Sequence, residues 1–395
     1  SFVLEKMCAF RVIPCDIFHS LRRVNLLCTV TGHFSNRQMH EIHKWRNISK
    51  LLETRHLSKK NGFQICGQQQ QFRHLSESNI SSSSDVASGF PALLTGDNIQ
   101  AFINSIDNVV TDCDGILWRG GVAIPGSADM IQRFHDMGKK VFYVTNDCNI
   151  SQEDLHAKAK RLGFPGEKEC FMSPTIGLAE YLKQCNFQKK VYVLGMDGIV
   201  QDLHHHGIEY CQITPEPTPE HFSPYELMTS LELDPEVGAV VVGFDHHISM
   251  SKLAKATSYV YGDNSCLFLS LAVDENNAEM KNPIIIPGTG ALAKCIELAS
   301  GREAVVIGKP STTMFDLLNH EHDLDPTRTL MMGDRCNTDV LFGKNCGLHT
   351  LLVLSGHAKM ELLQQYASSS DPHKRRHLPH YYLPCLGDML TLLKT

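Results

Sequence analysis

From Asp107 onward, the chain alternates between two spacings of hydrophobic residues. Short apolar runs such as "NVVT", "KVFYV", "KVYVL" and "GAVVV" have the length and composition of strands buried on both faces. Between them, "GSADMIQRFHDMGKK" places apolar residues at helical spacing and closes near Gly138, and "QEDLHAKAKRLGF" repeats the pattern. Further strands are predicted in "CLFLSLAVD", "AVVIGKPS", "TLMMGDRC" and "HTLLVLSG", with "GTG" at Gly288–Gly290 opening a helix and Thr289 near its cap. Strand–helix alternation of this kind predicts parallel βαβ units and an α/β fold. Most of the predicted strands end on polar residues, at the edge where open α/β sheets bind ligands.

The chain has 395 residues, 42% of them hydrophobic, which is enough for a large core and two domains. Residues 1–90 differ from the rest: 12 Lys/Arg stand against 6 Asp/Glu, with "QQQQ" at Gln68–Gln71 and "SSSS" at Ser81–Ser84. That composition predicts a disordered or targeting leader. The expected location is cytoplasmic, or mitochondrial if the basic leader is a transit peptide. The remaining residues carry 25 Lys/Arg against 37 Asp/Glu, an acidic balance that argues against nucleic acid as the main partner. No apolar run reaches the roughly 18 residues needed to span a bilayer, so no membrane partner is expected. Fourteen cysteines without a C-x-x-C pair read as reduced thiols.

Candidate chemistry begins at "VVTDCDGILWRG", where Asp112 and Asp114 stand one residue apart at a strand end and Gly115 permits a sharp exit. Two close carboxylates suit a hard cation such as Mg²⁺. A calcium loop starting at Asp112 would put Leu117 and Ala123 where glycine and glutamate are required, so that reading fails. Thr145 and Asn146 end the "YVTN" run, Lys309 precedes a proline expected to start a helix, and Asp334 and Asp339 follow a glycine. Taken in order, these residues fit phosphoryl transfer, which needs a nucleophile, a metal, a cation, donors for phosphate oxygens and an acid for the leaving group. Other features read as structural: His204–His206 as a solvated helix end, Asp245–His247 as a hairpin or cap-interface feature, and Cys113 as packing. Trp118 is expected beside the active-site loop, shaping its entrance.

The stretches "DCDGILWRG", "VTND", "VVGFDHHIS", "PGTGALAKCIELASGREAVVIGKPSTTMF" and "GDRCNTDVLFGKNCG" resemble the haloacid dehalogenase superfamily. Within it, they are similar to the 4-nitrophenylphosphatase-like group that includes phosphoglycolate and pyridoxal phosphatases. The resemblance implies a Rossmann-like parallel-sheet core at 95–174 and 286–395, an inserted α/β cap at 175–285, and a leader at 1–90 outside it. It implies Asp112 as nucleophile and Asp114 as the acid and base. Thr145, Asn146 and Asp147 would lie at the phosphoryl group, with Lys309 offsetting charge. Mg²⁺ would be held by the Asp112 carboxylate, the Asp114 carbonyl and Asp334, with Asp339 in support.

The substrate implied is a small phosphomonoester, 2-phosphoglycolate or an aryl phosphate. Pyridoxal 5′-phosphate or a phosphoprotein is the alternative, and so is a weakly active paralogue serving as a binding module. Relatives often pair through such caps, which makes a homodimer an open expectation. Asp147, Leu271, Ala272 and Asn337 depart from the group's usual residues.

Overall fold

The computed structural model describes residues 89–220, 223–278 and 284–394, so nearly all of the expected leader at 1–90 lies outside the described residues. In chain order the first strands are β1 (Ala92–Leu93), β2 (Asn108–Thr111), β3 (Trp118–Arg119), β4 (Val122–Ala123), β5 (Lys140–Val144), β6 (Phe171–Met172) and β7 (Lys190–Leu194). The rest are β8 (Val237–Val242), β9 (Leu267–Ser270), β10 (Asn276–Ala278), β11 (Ile285–Pro287), β12 (Val305–Val306), β13 (Thr329–Gly333), β14 (His349–Val353) and β15 (Tyr381–Leu383).

Seven strands form a parallel sheet in the order β1-β15-β14-β13-β2-β5-β6. Its central strands β2 and β13 are buried along their length because helices cover both faces. On one face, Met130, Ile131 and Phe134 of the Ser127–Asp136 helix pack with Val109, Tyr143 and Leu330. On the other, Met314, Phe315 and Leu318 of the Thr313–His322 helix pack with Val110, Phe142 and Met331. The chain runs from β2 to β5 on one side, whereas β13 pairs β2 on the other. That reversal opens a crevice at the carboxyl end of β2, where Asp112 follows.

A second parallel sheet, β12-β9-β8-β7, lies in the chain between β6 and β13. Leu178, Ala179 and Leu182 pack on one of its faces, Ala293 and Ile296 on the other. The expected cap segment of 175–285 stops short of β12, which pairs with β9 and so brings Val305 and Val306 into this sheet. The Gly288–Gly290 stretch opens the Thr289–Ser300 helix, with Gly288 at its N-cap. The helix expected at Pro310 begins instead at Thr313. Among the described residues, no helix is long and apolar enough to cross a membrane.

The Ser127–Asp136 helix tests this packing, since Phe134 is buried while its neighbour Arg133 is exposed. Phe134→Ala is expected to cost about 3–5 kcal/mol, through lost transfer energy and the cavity left behind. Arg133→Ala should stay within about 0.5 kcal/mol of the parent. Urea-unfolding midpoints of the two variants check both figures.

Candidate active site

Asp112 follows directly on β2, and its N–H donates to the Met332 carbonyl at 2.8 Å, extending the tie to β13 past the strand end. The chain then turns sharply, with the N–H groups of Leu117 and Trp118 both donating to the Cys113 carbonyl. Gly115 takes φ +88°, and a Cβ there would come within 2.3 Å of Asp334 Oδ2. Left-handed backbone and close approach thus both demand glycine at this turn. Asp334 Oδ2 accepts the His357 N–H at 2.7 Å from another loop. A π-helical turn over Cys336–Val340 points Asp339 back, so that its Oδ2 accepts the N–H groups of Asp334 at 3.1 Å and Arg335 at 2.9 Å.

Lys309 stands at the centre, only 1% exposed. Its Nζ lies 2.5 Å from Asp112 Oδ1, 2.8 Å from Asp339 Oδ1 and 2.8 Å from the Val144 carbonyl. Asn146 clamps the same residue: its Oδ1 accepts the Lys309 N–H at 2.8 Å and its Nδ2 donates to the Lys309 carbonyl at 3.0 Å. Thr145 Oγ1 accepts the Asp147 N–H at 3.0 Å, which leaves its O–H to donate elsewhere. Asp147 Oδ1 caps the Asn149 N–H at 3.0 Å.

One carboxylate oxygen each from Asp112, Asp334 and Asp339 lies within 4.8 Å of the others. Three buried acids face one ammonium, and the imbalance shows in their proton affinities. Burial pushes the Asp112 carboxyl well above its ordinary value, Lys309 pulls it down, and Asp339 and Asp334 push it up again. Burial, followed by the Asp339 charge, lifts Asp334 to about 6. Burial alone would lower the Lys309 ammonium, but the Asp112 and Asp339 carboxylates outweigh it and hold the group protonated. Hard oxygen donors with unbalanced negative charge fit a divalent cation.

Asp114 sits apart from this cluster, with a half-exposed carboxylate 3.6 Å from Lys158 Nζ. Partial desolvation raises its pKa, Lys158 lowers it, and Asp147 raises it again.

All eight residues singled out in sequence line one cavity of about 650 Å³: Asp112, Asp114, Thr145, Asn146, Asp147, Lys309, Asp334 and Asp339. Phe244, Ala272, Asp274 and Thr289 complete the wall from the second-sheet side. Arg335 Nη1 donates to Asp274 Oδ1 at 2.7 Å, tying a core loop to the segment after β9. Arg335, Lys158 and His357 were missed in sequence. Only Arg335 had a local signal, its place next to Asp334. Leu271 is buried packing, and Asn337 is exposed and outside the carboxylate cluster.

Two expectations need correction. Trp118 does pack beside the Asp114 loop, its carbonyl accepting the Gly115 N–H at 2.8 Å, but it is fully buried against Phe164 and does not line the cavity or its entrance. His206 is no solvated end: its Nε2 lies 2.9 Å from Glu180 Oε1 and its Nδ1 2.8 Å from the Asp202 carbonyl, while His204 and His205 are exposed. Asp245 forms a buried ion pair with Lys252 at 2.8 Å, and Cys113 is buried packing.

A family model described as haloacid dehalogenase-like hydrolase matches residues 109–209, and a HAD-hydrolase-like model matches 306–380. Glycerol-3-phosphate phosphatase of Gallus gallus is 36% identical over 307 residues, covering 76% of this chain and 96% of that protein. The chain belongs to the haloacid dehalogenase superfamily. Chronophin of Mus musculus is 33% identical over 75% of this chain and 96% of its own length. The p-nitrophenyl phosphatase from Archaeoglobus fulgidus shares the fold at TM-score 0.60 and 23% identity, over 73% of this chain and 99% of that one. NagD from E. coli K-12 does so at TM-score 0.55 and 26% identity, over 72% and 98%. As a member of this superfamily with its aspartate cluster in place, the protein is a phosphoric monoester hydrolase.

The raised Asp334 carboxyl makes cation binding depend on pH. Below about pH 6 the metal-free chain holds a proton there that a cation must displace. Calorimetric titration with Mg²⁺ should show affinity falling by up to about tenfold per pH unit below that value. Asp334→Asn should remove most of the affinity.

Proposed function

We propose that the protein hydrolyses small phosphomonoesters with Mg²⁺, through a phosphoryl group carried on Asp112. The observation that carries this reading is the pairing of Lys309 Nζ with Asp112 Oδ1 at 2.5 Å, deep in the cavity that also holds Asp334 and Asp339. Lys309 occupies Oδ1, which leaves Oδ2 as the attacking atom. Attack forms the Asp112–phosphorus bond as the bond to the leaving oxygen breaks. Asp114 donates its proton to that oxygen, then takes a proton from the water that attacks phosphorus, releasing inorganic phosphate and the Asp112 carboxylate.

Thr145, its oxygen already an acceptor for Asp147 N–H, has an O–H free for a phosphoryl oxygen. Asn146 braces Lys309 rather than acting at a distance from it. Asp112, Asp334 and the Asp114 carbonyl would hold Mg²⁺, with Asp339 in support. The cation, when bound, would supply charge neutralisation for the phosphate and transition state.

Small substrates are favoured because the cavity holds about 650 Å³ and two of its wall residues, Arg335 and Asp274, are tied to each other. The identity to glycerol-3-phosphate phosphatase supports a short alkyl phosphate such as glycerol 3-phosphate, with 2-phosphoglycolate a second candidate of similar size. The wall carries both signs of charge: Asp274 is paired with Arg335, and Asp147 and Arg119 also line the cavity. On the likeness to glycerol-3-phosphate phosphatase, glycerol 3-phosphate ranks ahead of 2-phosphoglycolate.

With 4-nitrophenyl phosphate and Mg²⁺, the parent protein should turn over and chelation should stop it reversibly. Asp112→Asn should reduce kcat by at least about 10³-fold, with unfolding temperature unchanged or raised because a buried charge is removed. Parent-like turnover by Asp112→Asn would overturn the reading. A panel of short alkyl phosphates tests the substrate order through kcat/KM.

A further inference from the structure

Lys158 lies on the Gln152–Arg161 helix, whose Leu155 and Ala159 are built into the core and whose N-cap Ser151 accepts the Asp154 N–H. Its Nζ stands 3.6 Å from Asp114 Oδ1 and 4.9 Å from the centre of the Trp118 ring. Trp118 is fully buried, packed edge-to-face on Phe164 at 5.3 Å. The Lys158 side chain is 17% exposed against 48% for Asp114, and Lys158 lies outside the cavity wall. A run of contacts thus leads from the rigid core through Trp118 and Lys158 to a carboxylate that is otherwise half in solvent.

We propose that Lys158 is a positioning residue for Asp114, holding that carboxyl at the angle from which it serves the leaving oxygen. Two contacts hold the ammonium. The buried indole face and the Asp114 carboxylate both attract it. A freely rotating Asp114 would spend most of its time turned toward solvent, and proton donation depends on the aligned fraction. Lys158 lies outside the cavity wall and meets it at Asp114, so its effect on the reaction is exerted through that carboxyl. The inference rests on the reading of Asp114 as the acid.

The test compares kcat/KM, which reports the first phosphoryl transfer, for 4-nitrophenyl phosphate and phenyl phosphate. The second releases a more basic oxygen and depends more on proton donation. Lys158→Met should lose roughly tenfold more kcat/KM on phenyl phosphate than on 4-nitrophenyl phosphate. Lys158→Arg should restore the parent ratio of the two substrates. In an Asp114→Asn background, Lys158→Met should cause no further loss. Equal losses on both substrates, or a further loss in the Asp114→Asn background, would overturn the proposal and leave Lys158 as a prop for Trp118. If Asp114→Asn itself shows no dependence on the leaving group, the reading of Asp114 fails first and the role of Lys158 falls with it.

Discussion

A single buried ammonium organises the carboxyl edge of the main sheet. Lys309 Nζ reaches Asp112 after β2, the Val144 carbonyl at the end of β5 and Asp339 beyond β13, all within 2.8 Å. Three strand ends are therefore drawn to one point by one charge. Three acids packed this closely could not coexist ionised without it, and even with it Asp334 keeps a proton to about pH 6. The residual negative charge is what makes the site receptive to a divalent cation. Asn146 serves this constraint by gripping the Lys309 backbone on both its N–H and its carbonyl.

The topology explains why these groups meet. β2 sits where successive strands depart to opposite sides, so the loops after β2, β5 and β13 diverge around a crevice. The second sheet contributes Phe244, Ala272 and Asp274 to the opposite wall, and the Arg335–Asp274 pair links the two walls. The clustered acids thus come from strand ends of the main sheet, and the facing wall from loops of the second. Glycine at 115 lets the loop after Asp112 lie against Asp334, where a methyl group would collide with its carboxylate.

Much of this was legible in the sequence because the signals are local. Apolar runs such as "KVFYV" marked strands, and Asp112, Thr145, Lys309 and Asp334 each sat at the polar end of one. What escaped depends on contacts far apart in the chain. Lys158 looks like any solvent-facing lysine on an amphipathic helix until the fold sets it over Trp118. Trp118 itself seemed an entrance residue, but the tight turn after Asp114 carries it inward. β12 lies in the 286–395 segment expected to be core, yet its pairing with β9 puts it in the second sheet. His206 looked solvated because Glu180, its partner, lies on a preceding helix.

The central claim is that Asp112 carries the phosphoryl group during turnover. Its most direct measurement is acid quenching of the enzyme at steady state with 4-nitrophenyl phosphate, followed by peptide mapping in a mass spectrometer. A phosphorylated peptide containing Asp112 is expected, more abundant in Asp114→Asn, where hydrolysis of the intermediate is slowed. Turnover with no covalent phosphate in either protein, or with phosphate on another residue, would contradict it.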